Sequence, residues 1–255
     1  MIRILLVIMV SFMSLSFKAD VTGPWIVTSG GNIILYSRPH NYSKSNSPDS
    51  ITIRQILNEQ NHAIEYINRV LLTNYNSKVQ IFLYNLDEAK DKIGTNAGGF
   101  VSLNKSQIFF PYFENPNKYV SQGTFVYLGI HEMVHIITKK KVGFPKSRLF
   151  GEGFANAIDG TYGRASIYDL MKEHVKNGNI IKPLDLLEKP NIPDIIFYPQ
   201  SGVFIKWLFD NYGIANAKRL YKVKRTKFVK KFKKVTGDDF DSMTDKYLKY
   251  CNSLN

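Results

Sequence analysis

The chain has 255 residues, in which 34 Lys and Arg outnumber 21 Asp and Glu and give a formal net charge of +13. Its one cysteine, Cys251, excludes an internal disulfide framework, and its length suffices for one large domain or two lobes around a cleft. The positive charge favours acidic partners, cell-surface polymers or simple solubility, without selecting among them.

The first 19 residues have the pattern of a secretory signal. Arg3 provides a basic N-terminal region, and residues 4–17 form an apolar run. The small residues typical of a cleavage site are residues 14–16, or the chain is cleaved after Ala19. The run is short for a membrane span, and an uncleaved anchor is the alternative. We therefore predict an exported chain, periplasmic or secreted, whose mature part is soluble and spans no membrane.

Residues 20–118 are predicted to form a first subdomain of strands with one backing helix. Apolar residues recur at helical spacing over residues 51–72, which predicts a long amphipathic helix. The other predicted elements are a hairpin over residues 25–36 that turns at residues 29–32, a strand over residues 79–84, a short helix over residues 87–93, and a strand over residues 107–110 that Pro111 ends.

Residues 124–138 are predicted to form a helix that contains His131, Glu132 and His135 in the order HEMVH. On one helix the two imidazoles lie one turn apart on the same face, where both can bind one zinc ion. Glu132 can then take a proton from a water molecule that the ion activates. The histidine face is expected to look into a cavity together with Thr124, Tyr127, Leu128 and Thr138.

The alternative for this motif is a core helix with two satisfied histidines, because an apolar stripe also runs along the segment. The stripe comprises Val126, Ile130, Met133, Val134 and Ile137.

A catalytic zinc ion needs a third protein ligand and one open position. Lys141 stands where the longer zinc motif has a third histidine, so that pattern is absent. Residues 150–156 read FGEGFAN and place Glu152 among small, helix-compatible residues, seventeen positions after His135. For Glu152 taken alone, the alternative is a solvated carboxylate at a helix start.

With HEMVH and GEGFAN, the chain resembles the gluzincins, the peptidase MA-like zinc enzymes related to thermolysin and to the leukotriene-hydrolase/aminopeptidase group. The resemblance implies that His131, His135 and Glu152 bind Zn2+ and that Glu132 is the general base. It also implies an α+β, zincin-like fold, in which a mixed N-terminal sheet with a backing helix precedes a mostly helical catalytic subdomain over residues 119–255. Zinc then lies in the cleft between them.

The same resemblance suggests how a substrate binds. The glycine-rich residues 96–101 correspond to an edge strand that pairs with an extended peptide, and a plain β-turn is the alternative. The aminopeptidase branch carries a Gly-x-Met-Glu-Asn stretch that binds a free amine. The chain has no such stretch, which favours cleavage within a peptide over trimming of its N-terminus.

Tyr198 corresponds, by the same resemblance, to a phenol that stabilises the oxyanion, and a packed aromatic is the alternative. His174 is the rival donor by analogy to thermolysin. Asn156 and Asp159 are candidates to support a ligating histidine, and a surface position is the preferred prediction for Asp159.

Residues 222–234 form a run dense in Lys and Arg. Because Phe228, Phe232 and Val235 share one helical face, the run predicts an amphipathic helix with a solvated basic face, rather than a tract that binds nucleic acid or membrane. This helix is expected to end and a further helix to begin at residues 236–240.

These patterns together predict an exported zinc peptidase that acts on peptides or proteins. The alternative from another class is a zinc-stabilised surface-binding or adhesion protein, derived from a peptidase and using its basic face. A non-proteolytic hydrolase of other amides or of epoxides is a third hypothesis.

Overall fold

The structure, a computed structural model, describes residues 23–39, 48–85, 88, 99–112, 128–163 and 165–254. The predicted signal at residues 1–19 lies outside the described residues, and so does all of the predicted helix at residues 87–93 except Glu88. Within the described part, no helix combines the length and the apolar character that crossing a membrane requires.

The N-terminal part folds into a five-stranded mixed sheet. Its strands are β1 (Ile26–Gly30), β2 (Ile33–Ser37), β3 (Val79–Asn85), β4 (Phe100–Ser102) and β5 (Gln107–Tyr112). They lie in the order β1-β2-β3-β5-β4. β2, β3 and β5 run parallel, whereas β1 and β4 pair antiparallel with β2 and β5 at the two edges. The predicted hairpin and both predicted strands are confirmed.

The prediction that Pro111 ends its strand is wrong. Pro111 lies opposite Tyr84 inside β5, and the strand continues to Tyr112. On its other side β5 pairs with β4 only as far as Phe109. Proline is tolerated where no neighbouring strand needs its missing N–H, and none of the described strands pairs with β5 on that side beyond the end of β4.

The long predicted helix is confirmed as α1 (Ser50–Leu71). The side chain of Asp49 accepts a hydrogen bond from the backbone N–H of Thr52 at 2.7 Å and caps its first turn. The apolar face of α1 and one face of the sheet belong to the same buried core, which includes Ile64 of the helix and Ile81 of β3. The opposite face of the sheet carries a separate row of aromatic side chains.

The C-terminal part is mostly helical. Its elements are α2 (His131–Lys141), α3 (Arg148–Asp159), the small hairpin β6 (Thr161–Tyr162) and β7 (Ala165–Ser166), α4 (Ile167–Lys176), α5 (Pro183–Glu188), α6 (Asp194–Tyr221), α7 (Phe228–Thr236) and α8 (Phe240–Asn252). α2 contacts α1 and β4 on one side and α3 on the other, and α3 packs along α6. Buried residues of the sheet and of these helices form one continuous core.

The last helices follow the sequence pattern. α6 is broken at Gly213, where φ is 78°. In α7, Phe228 and Phe232 are buried while Lys230 and Lys231 are exposed, so the predicted amphipathic helix with a solvated basic face is confirmed. Gly237, with φ of 85°, then ends α7 before α8 begins.

The fold is thus a mixed α and β architecture, with α2 placed where the sheet meets the helices.

Candidate metal centre

Three side chains from two helices converge at the junction of the sheet and the helices. His131 and His135 lie one turn apart on α2, and Glu152 lies on α3. The Nε2 atoms of the two histidines are 3.1 Å apart, and Oε2 of Glu152 is 3.2 Å from Nε2 of His131 and 3.5 Å from Nε2 of His135. Among the described residues, this is the one group of three or more His, Cys, Asp or Glu that could hold a metal ion.

The spacing of these three atoms fits zinc. Zinc–nitrogen and zinc–oxygen bonds of about 2.0–2.1 Å in a tetrahedron place neighbouring ligand atoms roughly 3.3 Å apart. The three observed distances lie on both sides of that value. Two imidazoles and one carboxylate are also a ligand set of catalytic zinc, which leaves the fourth position for water or substrate.

The charges of the site favour cation binding. Burial alone would raise the pKa of Glu152, but its hydrogen bonds with His131 and His135 outweigh burial and hold the pKa well below its usual range. Burial lowers the pKa of His135, and the opposing effects of Glu152 and Glu132 leave it raised. The carboxylate of Glu152 is therefore ionised at neutral pH, as a metal ligand requires.

The local sequence explains how α3 presents Glu152. Ser147 caps the helix by accepting a hydrogen bond from the N–H of Phe150, and Gly160, with φ of 78°, ends it. A Cβ atom at Gly153 would lie 2.6 Å from Cγ1 of Ile205 and 3.0 Å from the carbonyl oxygen of Ser201, both on α6. Glycine at this position therefore lets the two helix backbones approach closely.

A cavity of about 580 Å³ lies beside the candidate ligands, and His131 is the one of the three that lines it. It is lined by Gly99, Phe110, Leu128, Gly129, His131, Glu132, Asn156, Asp159, Thr161, Tyr162, Gly163, Asp194 and Tyr198. Gly99 directly precedes the edge strand β4, and Glu132 lies in the first turn of α2. Residues 96–98 of the predicted substrate strand lie outside the described residues. Residues 100 and 101 belong to β4, which is an edge strand of the sheet as predicted.

Tyr198 lies beside the candidate ligands. Its ring centroid is 6.2 Å from that of His131, and its ring stacks on Tyr162 at 5.1 Å. Burial, and secondly the charge of Glu152, raise the pKa of Tyr198 well above its usual value against the opposing effect of Arg148. Tyr198 therefore remains a protonated donor throughout the physiological pH range.

His174 does not reach the cavity. It is half-buried on α4, and its Nε2 lies 3.2 Å from the carbonyl oxygen of Ile195. Of the two oxyanion donors that the sequence suggested, the structure brings only Tyr198 to the candidate ligands.

Asn156 lines the cavity beside the candidate ligands, but its amide nitrogen does not hydrogen-bond a histidine. Its Nδ2 donates a hydrogen bond to the carbonyl oxygen of Tyr198 at 3.0 Å, while its Oδ1 is buried with no hydrogen-bond partner among the described residues. The amide thus connects α3 to the turn of α6 that carries Tyr198.

Two predictions about this region are wrong. Asp159 is not simply a surface residue, because it lines the cavity and its Oδ1 accepts a hydrogen bond from the N–H of Ile130. Thr138 does not face the cavity, because it is buried and its hydroxyl donates to the carbonyl oxygen of Val134 at 2.7 Å. Leu128 does line the cavity as predicted, and Thr124 and Tyr127 lie outside the described residues.

The start of the motif helix also differs from the prediction. α2 begins at His131, and Gly129 before it has φ of 77°. Residues 128–130 were predicted to be part of the helix, and that prediction is wrong. The apolar side chains in this stretch suggested a longer helix, but Gly129 in the left-handed region cannot belong to one.

Several residues around Tyr198 were missed by the sequence analysis. Arg148 forms an ion pair with Asp194, its guanidinium lies over the rings of Phe197 and Tyr198, and it hydrogen-bonds the Tyr198 side chain. Arg148 and Asp194 each begin a helix that carries a site residue. That coincidence is the only sequence signal that could have selected them.

No model of a known protein family matches the chain, and neither does any curated protein.

Proposed function

We propose that this chain is an exported, zinc-dependent peptidase of the gluzincin type with a zincin-like fold, and that it hydrolyses peptide bonds within peptide or protein substrates. One observation carries the proposal. Three ligand atoms lie at zinc spacing, and one of the three ligands, His131, lines a cavity together with a carboxylate, Glu132, and a phenol, Tyr198. A core helix with two satisfied histidines would need neither the third ligand nor the cavity.

In this proposal His131, His135 and Glu152 hold Zn2+, which when bound activates water and polarises the substrate carbonyl. Glu132 accepts the proton of the attacking water and later delivers it to the leaving amine nitrogen. Tyr198 donates its O–H to the carbonyl oxygen as negative charge develops there. Arg148 fixes the phenol of Tyr198 by a hydrogen bond, so that its orientation is set before the substrate arrives.

The substrate is held, in the same proposal, by the β4 edge of the sheet. β4 is the last of the described strands on that side, and an extended peptide can add to such a sheet edge as a further strand. Such pairing is independent of a free terminus and supports cleavage within a chain. The exposed basic face of α7 is the proposed contact for acidic surface polymers.

The first test is Glu132→Gln, with Glu173→Gln, an exposed glutamate on α4, as the matched control. We expect Glu132→Gln to retain zinc and to lose cleavage of a denatured protein mixture by about 10²-fold or more, because the proton acceptor is gone. Zinc content by elemental analysis and product formation by mass spectrometry measure the two properties. A chelator should abolish cleavage by the wild type, and the control variant should match the wild type.

The outcomes separate the hypotheses. Full activity in Glu132→Gln would end the mechanism. Bound zinc without cleavage in the wild type would instead support the zinc-stabilised surface-binding protein. Chelator-sensitive hydrolysis of small amides or epoxides without proteolysis would support the non-proteolytic hydrolase.

The second test addresses Tyr198. Tyr198→Phe removes one hydroxyl and keeps the ring that stacks on Tyr162. We expect kcat to fall by about 10²- to 10³-fold with little change in KM, because the lost hydrogen bond strengthens only in the transition state. Tyr162→Phe, which changes the other ring of the stacked pair, is the control, and equal losses in both variants would assign Tyr198 a packing role.

A further inference from the structure

The three residues before α2, residues 128–130, are held by side chains from two other helices. We call them the pre-helix segment. The N–H of Ile130 donates to Oδ1 of Asp159 at 3.1 Å, and the carbonyl oxygen of Gly129 accepts from Nε2 of Gln60 at 3.0 Å. The backbone N–H groups of Leu128 and Gly129 hydrogen-bond the carboxylate of Glu59. Two carboxylates, from α1 and α3, thus accept the three consecutive N–H groups that precede His131.

The sequence of the pre-helix segment cannot supply these partners itself. Ile130 is the N-cap residue of α2, and an isoleucine side chain cannot accept a hydrogen bond from the first turn. Gly129 turns the chain through φ of 77°, and Leu128 is apolar. The N–H groups of the pre-helix segment therefore depend on acceptors that reach them from elsewhere, and the negative charge of these acceptors near a helix N-terminus is favourable.

The same contacts join the two helices that carry the candidate ligands. Asp159 lies seven residues after Glu152 on α3, which is about two helical turns on the same side. Its hydrogen bond to Ile130 therefore fixes the start of α2 relative to the helix that provides the third ligand. Leu128, Gly129 and Asp159 also line the cavity, so the contacts shape the cavity wall as well.

Burying the ionised carboxylate of Glu59 at this position costs free energy. Burial raises the pKa of Glu59 to about 7, although hydrogen bonds from the backbone of Leu128 and Gly129 and from Gln60 lower it, and the charge of Asp159 adds to the increase. Its Oε2 is buried with no hydrogen-bond partner among the described residues. A neutral side chain would be easier to bury, so stability alone does not explain a carboxylate here.

We propose that Glu59 and Asp159 are positioning residues of the metal centre. They fix the pre-helix segment so that His131 meets His135 and Glu152 at zinc spacing and so that Leu128 and Gly129 form the cavity wall. This inference rests on the proposed function, because it requires that the three ligands bind a metal ion. Glu59 acts on His131 through the backbone and does not touch the ion.

The test compares zinc affinity in Glu59→Gln with that in Glu65→Gln, which removes an exposed carboxylate from the same helix. Zinc dissociation constants are measured by competition with a chromophoric chelator at pH 8, where Glu59 is ionised. We expect Glu59→Gln to bind zinc about tenfold more weakly, at the lower end of the range for residues that orient ligands, and Glu65→Gln to bind it as the wild type does. Asp159→Asn is the second variant and should weaken zinc binding similarly.

Two further measurements distinguish positioning from a general contribution to folding. The visible absorption spectrum of the cobalt-substituted protein reports ligand geometry, and it should change in Glu59→Gln and stay unchanged in Glu65→Gln. Amide hydrogen exchange at residues 128–130 of the zinc-free protein should accelerate in Glu59→Gln, while exchange within α3 should not.

The results overturn the two proposals separately. A wild-type protein whose zinc affinity is the same as that of Glu152→Ala would overturn the proposed function. Tight zinc binding by the wild type, with an unchanged affinity and cobalt spectrum in both Glu59→Gln and Asp159→Asn, would overturn only the positioning role.

Discussion

The two helices that supply the candidate ligands are built in opposite ways. α3 has its own cap in Ser147, its own stop in Gly160, and a face that is buried along almost its whole length. α2 begins at an isoleucine with no side-chain cap, and its start depends on Glu59 of α1 and Asp159 of α3. The position of Glu152 is thus set largely by local sequence, whereas that of His131 is set by tertiary contacts.

This difference has a consequence for the site. A helix that packs tightly and caps itself provides a rigid position for one ligand. A helix whose start is held by ionisable groups from other elements can respond to changes in those groups. We therefore expect the metal centre to be sensitive to changes around the pre-helix segment and less sensitive to changes at the start of α3.

The largest expected effect on stability concerns Glu59. A carboxyl group with a pKa of about 7 in the folded state and about 4.5 in the unfolded state binds more protons when folded, so its contribution is full below pH 4.5 and is lost as pH rises to 7. Glu59→Gln removes this dependence. Relative to the wild type, the zinc-free variant should gain stability between pH 4.5 and pH 8, by up to about 3 kcal/mol. Urea unfolding at both pH values measures it.

The exposed Glu65→Gln is again the control and should track the wild type at both pH values. A gain in stability at pH 8 together with weaker zinc binding would show that the Glu59 carboxylate serves the site at the expense of the fold. A loss of stability at pH 8 in Glu59→Gln would contradict the assigned pKa and make Glu59 an ordinary structural residue.

A smaller effect is expected where α3 meets α6. Gly153→Ala places a methyl group 2.6 Å from Ile205 and 3.0 Å from the Ser201 carbonyl, so the two backbones must separate. We expect a loss of about 2 kcal/mol in the free energy of unfolding, measured by urea denaturation. Gly151→Ala in the same helix meets only the flexible ring of Pro145, at 3.3 Å, and should change stability by less than about 1 kcal/mol.

The outcome for Gly153 also tests the rigidity assigned to α3. If the helix is held along its whole length, Gly153→Ala should weaken zinc binding as well, because Glu152 moves with the backbone. A variant with normal stability would mean that α3 and α6 adjust easily, and the contrast between the two ligand helices would then disappear.

The sequence predicted the elements whose pattern is local. Helical spacing marked α1, runs of β-type residues marked β3 and β5, and the order HEMVH placed two histidines and a glutamate on one helix. The structure brings Glu152 to those histidines, as the resemblance to the gluzincins implied. The family itself, the bound zinc, the peptidase activity and the signal at residues 1–19 stay predictions.

The sequence could not predict features that arise only when distant elements meet. The left-handed Gly129 shortened α2 against an apolar pattern that favoured a longer helix. Asp159 was assigned to the surface because nothing near it in sequence marks Ile130 as its partner. Glu59 lies sixty-nine residues before Leu128, and its neighbours on α1 read as an ordinary amphipathic helix.

The smallest predicted effect is at the cap of α3. Ser147→Ala removes the acceptor of the Phe150 N–H, a hydrogen bond of 3.3 Å, and should lower the free energy of unfolding by about 1 kcal/mol. Ser166→Ala removes the corresponding cap of α4, a helix that carries no candidate ligand, and should cost a similar amount. Because the buried face of α3 still fixes Glu152, zinc affinity should stay within about twofold of the wild type in both variants, in contrast to the expected tenfold loss in Glu59→Gln. A comparable loss of zinc affinity in Ser147→Ala alone would show that α3, too, depends on its first turn to present its ligand.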